Sequence, residues 1–298
     1  MQRIGIIILN YNSYQDTLNL VEALQLQSVA QSLHIIIVDN ASPNESYDYL
    51  KPLEDQYSQL TVLQTGENLG YAKGNNVGLH YLDEHIHPEY VAVMNNDIIL
   101  PTDCLEKLIA KYQQLEAPAI IAPKQLDIEE NDVPICRINT FFDDCLGLFY
   151  IFKLFDKRKI QPFKDITGSN TMVVDLVPGS FIFSSLETFK SMGYFYPNTF
   201  LFAEERFIAM KARVLNLKNY ILLDETYIHA HSKTINTQHS QISKYKLLYS
   251  GWLEFTKVHR SYPNFKVWIL RNLMKLSIIE MKFFNKLKII FKAKCISF

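Results

Sequence analysis

Ile4-Gly-Ile-Ile-Ile-Leu-Asn-Tyr-Asn12 opens the chain with six residues of strand length that run directly into three polar ones. The same order recurs twice: His34–Val38 leads into Asp39-Asn40-Ala-Ser42, and Tyr90–Met94 leads into Asn95-Asn96-Asp97. Leu60–Leu63 is a further apolar run, and Ala119–Ala122 a shorter fifth. Between them lie stretches with helical spacing, such as Leu18, Val21 and Leu24, or Leu105, Leu108 and Tyr112. Continuous β-branched strands separated by helices predict an α/β fold with a parallel sheet covered on both faces. Ligands of open α/β sheets bind outside the carboxyl ends of the strands, so the three polar clusters are expected to converge on one crevice.

The chain has 298 residues, 48% of them apolar, which is enough for a sizeable core and excludes wholesale disorder. Thirty Lys and Arg against 31 Asp and Glu leave a net charge of −1, without the global basic footprint of a nucleic-acid binder. Cys104, Cys136, Cys145 and Cys295 contain no C-x-x-C pair, which argues against a disulfide framework or zinc knuckle and for a reducing compartment. The opening apolar run is too short for a signal core, and no stretch reaches the roughly 18 uncharged apolar residues of a spanning helix. A cytoplasmic protein that does not cross the membrane is expected.

Residues 127–170 break the strand–helix rhythm. An acidic turn from Asp127 to Asp132 precedes an aromatic stretch (Phe141, Phe142, Phe149, Tyr150, Phe152, Phe155) and the basic Lys157-Arg-Lys159. Regular structure is expected again at Thr171–Val174 and Phe181–Phe183, with a helix from about Leu186. From about Ser240 to Phe298 the chain reads as helix throughout.

Four segments carry side chains suited to chemistry. Asp97 stands at a strand end, where a carboxylate can hold Mg²⁺ or Mn²⁺ together with substrate phosphates; the competing reading is a turn. Asn68-Leu-Gly70-Tyr-Ala-Lys73-Gly74-Asn75-Asn-Val-Gly78 has glycines four apart, and its amides could face a phosphate or ribose; a structural turn competes. Glu204 and Glu205 sit in apolar surroundings that raise a carboxyl pKa toward that of a general base. Alternatively they mark a helix N-terminus with Arg206 as a solvated charge. His229 follows an apolar run and an acidic pair, as a metal ligand or as a hydrogen-bonded structural residue.

Taken together and in order, these segments resemble the family 2 glycosyltransferases, inverting enzymes with a GT-A fold, and within them the bacterial rhamnosyltransferase-like members that build surface polysaccharides such as capsule. Val177-Pro-Gly-Ser180, Gly193-Tyr-Phe195, Phe200 to Glu205 and His229-x-x-Ser232-x-Thr234 complete the set, which covers about residues 4–235. The resemblance implies a GT-A catalytic domain over residues 1–236, with a nucleotide-binding half (1–125) and an acceptor-binding half (126–236), followed by a helical extension (237–298).

It also implies roles. Asn10, Asn12 and Asp39 would hold the base and ribose of a UDP- or dTDP-sugar, with Asn68, Gly70 and Asn75 lining the pocket. Tyr11, Asn40, Ser42, Lys73, Asn95 and Asn96 belong to the same donor region. Asp97, at the last position of a DXD-type motif, and His229 would hold Mg²⁺ or Mn²⁺ on the donor diphosphate. Glu205 would be the base that deprotonates the acceptor hydroxyl. Val177 to Ser180 would floor the acceptor side. The family usually has Glu-Asp where this chain has Glu204-Glu205, so Glu204 is the alternative base. The first two positions of the metal motif are Asn, which leaves more of the cation's coordination to the diphosphate.

From Asn264 onward eight basic residues and one acid alternate with aromatic and aliphatic ones. A basic amphipathic helix of this kind lies on an anionic membrane surface; the alternative is a helix packed on the catalytic domain. Acceptors of this pathway type are polyprenyl-diphosphate-linked saccharides, which implies a peripheral position at the inner face of the cell membrane. The oligomeric state is open, a homodimer included. A second reading is a non-catalytic sugar-nucleotide-binding or scaffold subunit, but binding alone requires neither a base nor a metal-ligating histidine.

Overall fold

The apolar runs form the centre of the molecule, seen in a computed structural model that describes residues 3–149, 160–161, 170–230, 241–259 and 263–295, with the backbone alone from residue 285 on. Strand β1 (Ile4–Asn10) pairs in parallel with β2 (Leu33–Asp39) and with β4 (Tyr90–Met94), and β2 pairs in parallel with β3 (Leu60–Gln64). The second half adds β5 (Ile98–Ile99), β6 (Pro118–Leu126), β9 (Thr171–Val174), β10 (Phe181–Ser185) and β11 (Lys218–His229); β7 (Ile135–Cys136) and β8 (Ile160–Gln161) form a separate ribbon. The sheet order is β3-β2-β1-β4-β10-β6-β11-β5, with β9 on the side of β11. Parallel ladders dominate, as expected, with β10 inserted antiparallel between β4 and β6.

Alternation along β1 divides the core. Ile4, Ile6 and Ile8 face the helices Tyr14–Gln25 and Cys104–Gln114, which contribute Leu20, Leu24, Leu105 and Leu108. Ile7 faces the other way, toward Leu79, Phe189 and Ile208 of the helices Gly70–Tyr81, Leu186–Ser191 and Glu204–Val214. The four-residue glycine spacing has a packing cause: a Cβ at Gly74 or Gly78 would come within 2.6 Å of Leu9 or 2.9 Å of Ile7. Both glycines lie on one helix face, and their lack of a side chain lets that helix seat closely on β1.

Two elements depart from expectation. The fifth run is not short: β6 extends to Leu126 because it pairs with the twelve-residue β11. The C-terminal segment is not one helix but two, Gln241–His259 and Asn264–Cys295. Pro263 precedes the second, where its missing N–H and the restriction it puts on the residue before it oppose a continuous helix. A third core cluster joins these helices to the helix Phe141–Gly147 and to Ala203, through Leu148, Tyr249, Trp252, Leu270 and Met274. The expected boundary at residue 236, the aromatic and basic residues 150–159, and His231, Ser232 and Thr234 lie outside the described residues.

Candidate active site

The three strand-end clusters do meet. The Asn10 side-chain amide donates to Asp39 Oδ1 at 2.8 Å, and the Ser42 hydroxyl donates to the same oxygen at 2.6 Å. Thr17 Oγ1 donates to Asn10 Oδ1 at 3.0 Å, and Asn96 Nδ2 donates to Thr17 Oγ1 at 2.9 Å and to Ser13 Oγ at 2.8 Å. One hydrogen-bonded chain therefore crosses the ends of β2, β1 and β4. Asn40 extends it: its amide donates to Asn68 Oδ1 at 3.0 Å, while its own Oδ1 accepts from the Leu69 N–H at 3.0 Å.

The expected donor residues divide by exposure. Asn10, Asp39, Asn40 and Asn75 are fully buried and brace the loops, with Asn75 donating to the Tyr71 carbonyl of its own helix at 3.0 Å. Asn96 is buried as well. Tyr11, Asn12, Ser42, Asn68 and Asn95 are half-buried along the crevice, and Lys73 is exposed on its helix. Asn12 has φ 60° and a buried Oδ1 without a partner, a strained polar residue of the sort that collects at ligand sites. Gly70 has φ +76°, and a Cβ there would lie 2.2 Å from the Phe200 carbonyl oxygen, so glycine is required where this helix starts.

Asp97 and His229 come together by strand pairing. Antiparallel β5 and β11 set His229 opposite Ile98, and the Ala230 N–H donates to the Asp97 carbonyl at 2.9 Å. The side chains follow, with His229 Nε2 3.1 Å from Asp97 Oδ1. Two neighbouring ligands of an octahedral cation, each at about 2.1 Å, stand roughly 3.0 Å apart, so this pair already has the separation that one Mg²⁺ or Mn²⁺ would need. The carboxylate suits Mg²⁺ or Mn²⁺, and a single imidazole beside it is compatible with either when a diphosphate supplies the other oxygens. Among the described residues no third acidic, thiol or imidazole side chain completes a metal cluster with them.

The ring of His229 is oriented from behind. Gln125 Nε2 lies 3.1 Å from its Nδ1, and Gln125 Oε1 accepts from the Tyr227 hydroxyl at 3.1 Å and from Ser180 Oγ at 3.3 Å. Coordination through Nε2 calls for Nδ1–H to donate to Gln125. The amide can meet that demand by exchanging its O and N, because both hydroxyls can accept as well as donate. Gln125 and Tyr227 were not among the residues read from sequence, and Ser180 was read there only as part of the acceptor-side floor. Asp16 was also missed; burial, and then the charge of Asp97, raise its carboxyl above the ordinary range.

Glu205 lies at the head of the helix Glu204–Val214, and its carboxylate abuts Gly179, where a Cβ would come 2.5 Å from Oε1. Burial pushes its pKa up, while its own N–H, the Arg206 guanidinium and the Gly179 N–H pull the other way. The hydroxyl of Tyr71 donates to the Gly179 carbonyl at 2.5 Å, and burial together with Glu205 and Glu204 holds that phenol well above its usual range. Glu204 is also raised, by burial first and by the charge of Glu205 second, and its Oε1 is buried without a partner.

A cavity of about 350 Å³ is lined by Glu205, Gln125, Val177, Pro178, Trp252 and neighbouring side chains. Glu204 is not part of that lining. Gln125 touches His229 and also lines this cavity, so one side chain separates the Asp97–His229 pair from the wall that carries Glu205. Arg206 is not the solvated charge that the sequence allowed. It is 7% exposed, and its Nη1 donates to Asp144 Oδ1 at 3.2 Å.

A family model for glycosyl transferase family 2 matches residues 5–172, more than half of the chain. Low-salt glycan biosynthesis hexosyltransferase Agl10 of Haloferax volcanii is 27% identical over 214 residues, which are 72% of this chain and 62% of that protein. The chain thus spans less than two thirds of this curated relative. Among solved structures, S. aureus TarS 1-349 in complex with UDP is similar at a TM-score of 0.55 and 17% identity, over 91% of this chain and 70% of the other. Mannosyltransferase PcManGT from Pyrobaculum calidifontis, in complex with GDP-Man and Mn²⁺, is similar at a TM-score of 0.58 and 15% identity, over 92% and 70%.

Proposed function

This chain belongs to glycosyl transferase family 2, and from that membership we propose that it is an inverting, metal-dependent glycosyltransferase moving a sugar from a nucleotide-diphosphate donor to a hydroxyl of a lipid-linked saccharide. The observation that supports this reading is Gln125, which touches His229 of the Asp97–His229 pair and lines the cavity walled by Glu205. A scaffold that only binds nucleotide has no use for a desolvated carboxylate at the cavity wall.

Each group has a physical task. Tyr11, Asn12, Ser42 and Asn68, half-buried at the strand ends, are the polar groups open to a nucleotide, and the buried Asn10–Asp39–Asn40 network fixes their positions. Asp97 and His229 would hold the Mg²⁺ or Mn²⁺; bound there, the cation neutralises charge on the departing diphosphate. Glu205 takes the proton from the acceptor hydroxyl, and its raised pKa brings it toward the pH at which it must work. Opposite placement of base and diphosphate gives in-line attack and inversion at the anomeric carbon.

The site therefore favours Glu205 over Glu204 as the base, since only Glu205 lines the cavity. The glycan-biosynthesis role in the name of Agl10 and the UDP and GDP-Man held by the two structural neighbours support a sugar-nucleotide donor. The acceptor class, the use in capsule or surface polysaccharide, and the inner membrane face belong to the same proposal. Among the described residues no helix is long and apolar enough to cross a membrane. The helix Asn264–Cys295 does more than pack: Leu270, Met274 and Met281 are buried, while Phe265, Trp268, Leu276, Ile279 and Phe283 are each more than half exposed beside the exposed Arg271, Lys275 and Lys282. Apolar side chains flanked by cations complement an anionic lipid surface.

The test is nucleotide release from a panel of UDP-, dTDP- and GDP-sugars, with Mn²⁺ or EDTA, in the presence of a bacterial lipid extract as acceptor source. Metal-dependent release that Glu205→Gln abolishes, with donor binding retained, is the expected outcome. Full activity of E205Q removes the base assignment; binding without turnover under every condition favours the scaffold reading.

A further inference from the structure

Arg206 immediately follows the catalytic pair, and its surroundings are unusual for a charged residue. Its guanidinium is enclosed between an acid from one helix and two rings from another. On one side is Asp144 of the helix Phe141–Gly147, 1% exposed and further fixed by a 3.0 Å hydrogen bond from Asn139 Nδ2. On the other are Trp252 and Phe255 of the helix Gln241–His259, with ring centroids 4.5 Å and 5.9 Å from Arg206 Cζ. The same helix touches the turn before the pair. Gly251 lies against it so closely that a Cβ would come 2.7 Å from the Phe202 carbonyl oxygen. That turn is strained, because Phe202 and Ala203 are consecutive non-glycine residues in left-handed conformation, at φ 73° and 77°.

Stability alone does not account for this arrangement. A buried ion pair is often replaceable by apolar groups of similar volume at no cost. What apolar groups cannot supply is a fixed positive charge next to Glu205, or a bidirectional tie that keeps a strained turn in place. We propose that Arg206 is a positioning residue for glycosyl transfer: gripped by Asp144 and Trp252, it locks the turn that aims Glu205 and makes the helix Gln241–His259 part of the active site. Trp252 lines the acceptor-side cavity together with Glu205, so the clamp also shapes the space where the acceptor binds. This inference rests on the reading of Glu205 as the base.

Among the described residues, a small set of groups surrounds Glu205. Glu204 and Arg206 flank it in its own helix, the Gly179 N–H comes from the loop before β10, and the Tyr71 hydroxyl comes from the helix Gly70–Tyr81. Arg206 is the cation directly beside Glu205, and Arg137 lines the same cavity. Losing Arg206 should move the acid limb of the kcat–pH profile to higher pH, because its charge favours the ionised carboxylate.

The experiment compares wild type, Arg206→Met, Arg206→Lys and Glu205→Gln as full-length proteins, using whichever of UDP-glucose, UDP-N-acetylglucosamine and dTDP-rhamnose wild type turns over fastest with Mn²⁺. R206M is expected to lower kcat at neutral pH about tenfold or more, to shift the acid limb upward, and to leave the donor KM within about twofold, with R206K restoring part of the rate. An R206M enzyme that melts earlier but keeps wild-type kcat and pH profile overturns the proposal. If R206M does not fold, Asp144→Asn replaces it: lowered kcat at unchanged donor KM supports the clamp, and wild-type kcat overturns it. Full activity in E205Q would instead signal that the underlying assignment of the base has failed.

Discussion

His229 Nε2 and Asp97 Oδ1 stand 3.1 Å apart although 132 residues separate them in sequence. Strand pairing between β5 and β11 creates this contact without any ligand, so on the proposed reading the two side chains could share one cation without rearrangement. Two protein ligands leave most of an octahedral shell to phosphate oxygens and water. Mn²⁺ should accordingly bind weakly to the free protein and much more tightly when UDP or another nucleoside diphosphate is present. Electron paramagnetic resonance titration of Mn²⁺ with and without UDP measures this, and Asp97→Asn should abolish the difference.

Gln125 offers a second, less direct lever on the same cation. Its side chain reaches the ring nitrogen of His229 that faces away from Asp97, and its own amide is held by Tyr227 and Ser180. Partners behind a metal-ligating histidine commonly contribute about 10- to 100-fold in metal affinity. Gln125→Leu should raise the Mn²⁺ concentration needed for half-maximal activity by that range, and should also lower thermal stability, because Tyr227, Ser180 and His229 lose a buried partner.

Gly179→Ala tests the seating of the base. The added methyl would come 2.5 Å from Glu205 Oε1, in a wall that also receives the Tyr71 hydroxyl. Displacing a catalytic group by about 1 Å can cost on the order of 100-fold in rate. The expected result is a loss of that size in kcat with donor binding, followed by calorimetry, unchanged. A wild-type rate would mean that the carboxylate works from another position.

The layout of the crevice was legible in the sequence because parallel strands must end on one side, and three of the apolar runs lead into Asn, Asp or Ser. Motif order singled out Asp97, His229 and Glu205, and the structure puts the first two 3.1 Å apart and buries the third. The supporting residues were not legible in this way. Gln125 sits beyond Ala119–Ala122, in a part of β6 whose strand character comes from pairing with β11 rather than from its own composition. Arg206 reads as a surface charge until its partner is known, and Asp144 lies 62 residues earlier in a stretch without periodic signal. In β11, Asp224 and Glu225 interrupt the apolar pattern, yet Glu225 is buried and paired with Lys107 at 2.9 Å. Contacts between distant segments decide each of these cases.

Stability should report the buried carboxylates directly. Glu204 and Glu205 both have folded pKa values raised above the ordinary carboxylate range, chiefly by burial. The folded protein therefore holds protons that the unfolded chain has already released, and stability falls as pH rises from the unfolded value through the folded one. The slope approaches about 1.4 kcal/mol per pH unit for each such proton. Urea unfolding of wild type between pH 5 and pH 8 (a window set by ~4.3 for an unfolded Glu and the upward shift on folding) should show this decline, and Glu204→Gln should flatten it. A wild-type curve level across that window would show both groups ionised in the folded state.

The exposed face of the helix Asn264–Cys295 makes the last prediction. Trp268 is 66% exposed and Phe283 60%, on a side bordered by Arg271, Lys275 and Lys282. Each basic residue near an anionic surface contributes roughly 1 kcal/mol of attraction, which shrinks as salt is raised. Full-length protein should cosediment with phosphatidylglycerol-containing vesicles and far less with phosphatidylcholine alone. Arg271→Glu, Lys275→Glu and Lys282→Glu combined should release it, and Trp268→Ser should weaken binding without altering its salt dependence. The charge-reversed protein should still release nucleotide from a soluble donor in the absence of vesicles, because none of these side chains belongs to the crevice. Equal binding to both kinds of vesicle would instead mean that the apolar side chains alone hold the protein, and that the cations beside them serve solubility.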